Sequence, residues 1–195
     1  VSAPSLDLAP ATLAADRLRL LAVLTERSYA KKRVVLSSGR ESDFYIDCKK
    51  TVLTAEGHWL TGKLLFAGIR AEFPEAVGVG GLTMGADPVA SAVSLVSHLG
   101  QAPLAAFLVR KEPKGHGTGQ WVEGLSALPA GSKVVVVEDV VTTGASTIKA
   151  IERARLEGLV PVGAFTLVDR QEGGREAIEA LGVPVRALFV RGDFP

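Results

Sequence analysis

The sequence predicts an α/β protein with a mostly parallel central sheet covered on both faces by helices. Two features carry this prediction. After Pro74, short valine-rich runs alternate with helical stretches, the pattern of strands joined by crossover helices. Lys133 is followed by four consecutive valines, Val134 to Val137, a run that reads as a strand buried on both faces. The length of 195 residues and the hydrophobic content of 47% suit one domain with ample core. They exclude intrinsic disorder as the main state.

Taken in order, Leu13, Leu20, Leu21 and Leu24 recur near a helical period, so residues 13–27 read as a helix. Residues 34–36 and 44–47 read as short strands joined by a polar turn at 37–43. Residues 57–73 form a helical stretch that Pro74 ends. Beyond it, 76–79 reads as a buried strand and 80–86 as a glycine-containing loop. Asp87 then Pro88 reads as an N-cap followed by proline at the first helical position, opening a helix to about Leu99. Residues 104–110 are the next strand, 111–124 a loop with four glycines, and 133–137 a strand. A helix at 146–158, a strand at 162–168, a helix at 174–181 and a strand at 185–190 complete the chain. The expectation is a single domain over 1–195, with a hood at about 1–74 and a core at about 75–195.

Charge narrows the function. Lys plus Arg is 22 and Asp plus Glu is 21, a net charge of +1. An electrostatic nucleic-acid binder is not expected, so any anion site must be a local arrangement. Cys48 is the single cysteine, so neither an internal disulfide nor a cysteine-rich zinc site is available. No apolar run reaches the ~18 residues of a membrane span. Residues 1–10 lack a signal-peptide pattern. The expected location is the cytoplasm, with no membrane partner.

Ligands of open α/β sheets lie beyond the carboxyl ends of the strands, and one such end is rich in chemistry. The valine strand runs into Glu138 and Asp139, and Thr142, Thr143, Gly144 and Ser146 follow before the next helix. Backbone N–H groups, hydroxyls and a helix N-terminus together make a phosphate cradle. Two acids do not favour a phosphate; they suit sugar hydroxyls or a developing positive charge beside it. Phosphate pocket plus acid pair points to a phosphorylated ribose. A Walker loop is absent, and Gly78-Val-Gly80-Gly81 is a poor dinucleotide fingerprint.

The segment 138–147 resembles the phosphoribosyl pyrophosphate (PRPP) signature of the type I phosphoribosyltransferases. Three further segments resemble the orotate phosphoribosyltransferase branch: Arg110-Lys111-Glu-Pro-Lys114-Gly-His116-Gly117 its catalytic loop, Phe165-Thr-Leu-Val-Asp169-Arg170-Gln-Glu172 its carboxylate segment, and Ser38-Gly-Arg-Glu-Ser-Asp-Phe44-Tyr45-Ile-Asp47 its base-stacking hairpin. The resemblance runs from about residue 34 to 174 in consistent order. It implies a three-layer type I fold with a small N-terminal hood and a pentosyltransferase that makes orotidine 5′-monophosphate and pyrophosphate from orotate and PRPP in pyrimidine synthesis.

Residue by residue, the resemblance implies PRPP binding by Arg110, Lys111, Lys114, His116, Glu138, Asp139, Val140, Val141, Thr142, Thr143, Gly144, Ala145 and Ser146. Lys111, Glu138 and Asp139 are the catalytic expectations. Cations on a flexible loop meet charge developing on the leaving pyrophosphate. Tyr45, Thr142 and Arg170 are expected at orotate. Phe44 and Tyr45 are adjacent on a strand and so face opposite sides, with Tyr45 placed at the base. Mg²⁺ is expected to arrive on PRPP, held mainly by substrate oxygens and water rather than by protein ligands. A homodimer sharing loop 110–124 is also implied. Two departures stand out: Ser37 occupies a position that is lysine in many bacterial members, and Met84-Gly85 stand where many carry Tyr-Lys. The competing readings are a purine phosphoribosyltransferase, which needs no carboxylate-binding Arg170, and a non-catalytic PRPP-sensing regulator, which needs a nucleic-acid-binding surface.

Overall fold

The computed structural model describes residues 6–35, 41–113 and 120–195. The expectations at Ser37, Lys114 and His116 therefore lie outside the described residues.

The N-terminal part opens with α1 (Pro10–Arg27). This helix starts earlier than the leucine repeat indicates, because Pro10 sits in its first turn, where no N–H is required of it. Strands β1 (Tyr29–Val35) and β2 (Glu41–Ile46) pair antiparallel, Tyr29 opposite Ile46. A four-residue helix α2 (Lys49–Val52) follows; it is too short to leave a periodic signal. Helix α3 (Ala55–Glu72) is capped by Thr54, whose side chain accepts from the Gly57 N–H at 3.1 Å.

The core then runs β3 (Gly78–Leu82), α4 (Ala86–Leu99), β4 (Ala105–Val109), β5 (Val122–Glu123), β6 (Lys133–Val141), α5 (Ala145–Leu156), β7 (Val160–Asp169), α6 (Gly174–Glu179) and β8 (Val185–Val190). The sheet order is β5-β4-β3-β6-β7-β8, parallel except for the edge strand β5. Residues of α1, α3 and α4, with Phe44 and Ile46 from the hairpin, pack one face of the sheet. Ala150, Ile151, Ala154 and Ile178 from α5 and α6 pack the other. The result is the expected three-layer α/β arrangement.

Three boundaries differ from the sequence reading in ways that matter for the site. Residues 80–82 are strand, not loop. Their glycines are required by packing: a Cβ on Gly80 would lie 2.0 Å from the Phe107 carbonyl oxygen. Asp87 lies inside the first turn of α4 and caps nothing; Gly85 holds the cap position. The central strand extends through Glu138 and Asp139 to Val141, so the acids sit within β6 rather than at its end. Expecting the strand to stop at the first charge overlooked that a buried strand can carry acids where one neighbour has departed.

That departure creates the site. β3 pairs with β6 only as far as Gly80 opposite Val136, whereas β7 accompanies β6 to Val141 opposite Asp169. From β3 the chain proceeds to β4 on one side, and from β6 to β7 on the other. The β3–β6 boundary is thus a topological switch point, where α/β sheets open a crevice.

Candidate active site

Glu138 and Asp139 are 6% and 8% exposed and stand on the part of β6 that outruns β3. Asp139 Oδ1 accepts from the Val140 N–H at 2.9 Å, and Glu138 Oε1 accepts from the Asp139 N–H at 3.3 Å. Glu138 Oε2 is buried without a hydrogen-bond partner. Burial first, and the charge of Asp139 second, push the Glu138 carboxyl up to about 9. The Glu138 carboxyl is therefore held in its neutral form at neutral pH.

Immediately downstream, residues 140–146 line a pocket of about 160 Å³. Gly144 turns the chain at φ +81°, a left-handed conformation, and a Cβ there would lie 2.8 Å from the Gly174 carbonyl oxygen. The turn leads into the N-terminus of α5, whose unpaired N–H groups and dipole favour an anion. Thr143, Ala145 and Ser146 are exposed, and Thr142 is half-buried.

Just past β7, the Arg170 N–H donates to the Val141 carbonyl at 2.9 Å, which sets this residue against the 140–146 turn. Arg170 is 7% exposed, and its guanidinium donates to the Phe44 carbonyl at 2.9 Å and pairs with Glu172 at 2.9 Å. Asp169 fixes the bend after β7 by accepting from the Gln171 N–H at 2.8 Å and pairing with Arg175 at 3.3 Å. Arg170 thus ties the hairpin to the core sheet. On β2 the alternation holds: Phe44 is buried against Tyr29 and Phe194, and Tyr45 is half-buried with Lys32 Nζ 3.8 Å from its ring centroid.

The basic loop leaves β4 at Arg110. This N–H donates to the Trp121 carbonyl at 2.8 Å, and the guanidinium meets Glu123 at 3.3 Å. Lys111 is exposed, and its carbonyl accepts from Lys149 Nζ of α5 at 2.8 Å. Trp121 stacks under Arg153 of the same helix, 3.6 Å from guanidinium carbon to ring centroid. Both described ends of the loop are therefore held on α5, the helix that follows the 140–146 turn.

Sequence reasoning missed Lys49, Lys149 and Trp121. Lys49 Nζ lies 2.9 Å from Asp47 and 3.8 Å from Asp139. Lys149 and Arg153 are spaced four apart on one helical face, a signal that could have been found; Lys49 carries no such pattern. Gly85 faces the acids so closely that a Cβ would lie 2.6 Å from Asp139 Oδ1 and 2.8 Å from Glu138 Oε1. Cys48 is fully buried, and burial together with Asp139 and Asp47 pushes its thiol well up, so it is not a nucleophile.

An acid pair, an anion-receiving turn and a buried guanidinium gathered at a switch point suit transfer of a phosphorylated sugar, and comparison with known proteins agrees on that class. Residues 75–181 match the phosphoribosyl transferase domain. The orotate phosphoribosyltransferase of Sorangium cellulosum (strain So ce56) is 55% identical over 181 residues, covering 93% of this chain and 94% of the relative. That of Thermosynechococcus vestitus is 46% identical over 182 residues, covering 93% and 94%. The crystal structure of Mycobacterium tuberculosis H37Rv orotate phosphoribosyltransferase with PRPP superposes with a TM-score of 0.74 at 37% identity, covering 91% of this chain and 98% of that one. The chain belongs to the orotate phosphoribosyltransferase family.

Proposed function

We infer that this protein transfers ribose 5-phosphate from PRPP to orotate, forming orotidine 5′-monophosphate and releasing pyrophosphate in pyrimidine synthesis. The observation that carries the reading is the acid pair set directly ahead of an anion-receiving turn, with Arg170 hydrogen-bonded to that turn. The 5′-phosphate rests on the backbone N–H groups and hydroxyls of residues 142–146. Asp139 accepts from the ribose hydroxyls, and its charge favours the positive character that develops at the anomeric carbon as the pyrophosphate bond breaks. Glu138, held neutral, donates or accepts beside it without adding a second charge. Orotate sits between Tyr45, Thr142 and Arg170, its carboxylate meeting the guanidinium in a charge-assisted contact. The new glycosidic bond forms from the orotate ring nitrogen as the anomeric C–O bond breaks; pyrophosphate leaves with that electron pair, and the ring N–H proton passes to it or to water. Arg110, Lys111, Lys114 and His116 receive that leaving charge.

Mg²⁺ belongs to the same proposal. Among the described residues no three metal-binding side chains gather into a cage. The acids offer hard oxygens only, including the unpartnered Glu138 Oε2, which fits an ion carried mainly by PRPP oxygens and water. When bound, the ion neutralises phosphate charge.

We also propose a homodimer in the cytoplasm. Leu53, Trp59 and Leu95 are exposed around an apolar groove that includes Val96, and two-fold dimers are the commonest assembly. Among the described residues no helix is long and apolar enough to cross a membrane. Loop sharing is tested by mixing Lys111→Ala with Arg170→Ala protein under conditions of verified subunit exchange. A shared loop restores one intact site per heterodimer, and activity rises above the sum of the separate variants. No rise would mean that the loop serves its own subunit.

The reaction itself is tested by the loss of orotate absorbance on adding PRPP and Mg²⁺. A purine phosphoribosyltransferase would leave orotate untouched and consume a purine base. A PRPP-sensing regulator would bind PRPP and turn over neither.

A further inference from the structure

Lys49 stands outside every role assigned above. Its backbone is fixed: Cys48, Thr51 and Val52 are fully buried, and Ser28 Oγ meets Thr51 Oγ1 at 2.7 Å. The side chain leaves this anchored turn and is 44% exposed, with the ammonium 2.9 Å from Asp47 and 3.8 Å from Asp139 Oδ2. The other oxygen of Asp139 is taken by the Val140 N–H. Hence Oδ2, the atom free to receive a ribose hydroxyl, is the one that faces Lys49.

Residue 85 offers no side chain to these acids, since a Cβ there would lie 2.6 Å from Asp139 Oδ1 and 2.8 Å from Glu138 Oε1. Among the described residues, the Lys49 contact is the only ion pair made by either acid. Without it, no ion pair among the described residues would offset Asp139 at the rim that meets a polyanionic substrate. Neutralising a half-exposed pair adds little to stability, so packing alone gives no reason for an ammonium here.

We propose that Lys49 is a PRPP-contacting residue, supplying from the hood the positive charge that meets the ribose–diphosphate side of the substrate next to Asp139; this rests on reading the acid pair as the ribose site. An oxygen seated on Asp139 Oδ2 lies within a short side-chain swing of the ammonium. The hood then takes part in substrate binding through a lysine as well as through the base-facing hairpin.

The test is steady-state kinetics of Lys49→Met and Lys49→Arg with both substrates varied, beside calorimetric PRPP binding. Lys49→Met should raise KM and Kd for PRPP about tenfold or more, the scale of one lost charge-assisted contact. KM for orotate should stay within about twofold, and the thermal midpoint should move by less than about 3 °C. Lys49→Arg should recover most of the loss. Unchanged PRPP constants would overturn the inference. So would a joint rise in both KM values with a fallen thermal midpoint, which marks a hood-packing role. Should Lys49→Met not accumulate as folded protein, Lys49→Gln gives the same split. If the wild-type chain does not consume orotate, the reading of the reaction fails, and the PRPP binding constants still decide the role of Lys49.

Discussion

In the proposed site, residues 140–146 form the phosphate side from one continuous turn, whereas the base side gathers residues far apart in the chain. Phe44 comes from a hairpin, and Arg170 with Glu172 from the end of β7. The first half needs only local backbone geometry and a helix terminus. The second needs the hairpin held on the core sheet, a tie that Arg170 makes through the Phe44 carbonyl. The two halves should therefore fail differently when broken.

The largest effect is expected at Arg170. Arg170→Ala removes the proposed carboxylate contact, one hydrogen bond to the Phe44 carbonyl and the buried ion pair with Glu172. A charge-assisted bond contributes about 1.5–3 kcal/mol, which is roughly a ten- to hundredfold rise in KM for orotate. Breaking the buried pair with Glu172 costs stability as well. Kinetics and thermal melts on one preparation would show both losses together, with KM for PRPP little changed. A loss of PRPP affinity matching that of orotate would erase the distinction between the halves.

Asp139→Asn should lower kcat by roughly a hundredfold, the scale for removing one preorganised electrostatic group, with PRPP binding largely intact. Single-turnover rates equal to wild type would make the acid pair structural. Gly144→Ala sharpens the other half. It forces a left-handed φ on a residue with a Cβ, at about 1–2 kcal/mol, and crowds the Gly174 carbonyl. PRPP affinity should fall about tenfold while orotate affinity holds, which equilibrium titration of each ligand would measure.

The smallest effect concerns Glu138. Its carboxyl is raised from the ordinary 4.5 to about 9 in the folded chain. The stability this contributes is fully present below about 4.5 and is lost as pH rises toward 9, because only the unfolded chain ionises in between. Glu138→Gln should flatten that slope. Thermal midpoints from pH 5 to 8 should fall more steeply for wild type than for the variant; parallel curves would mean that Glu138 is ionised in the folded protein.

The same contrast explains what the sequence reveals. The valine run, the acids and the hydroxyl-rich turn are contiguous, so the central strand, the phosphate turn and the α/β class are legible from pattern alone. Adjacent Phe44 and Tyr45 separate into buried and half-buried as strand alternation requires. Glycines inside β3 read as a loop because the Phe107 backbone that excludes a Cβ belongs to a neighbouring strand. Lys49 was invisible because its meaning depends on Asp139, ninety positions away, which only the docked hood brings near. Arg170 was legible as a strand-end arginine, but its tie to the Phe44 carbonyl was not.

A crystal structure with orotidine 5′-monophosphate bound tests the central claim most directly, since that one molecule spans both halves. Its 5′-phosphate should lie among residues 142–146, its ribose hydroxyls on Asp139, and its base carboxylate against Arg170. A phosphate bound elsewhere, or a base turned away from Arg170, would contradict the division of the site into a local phosphate half and a hood-assembled base half.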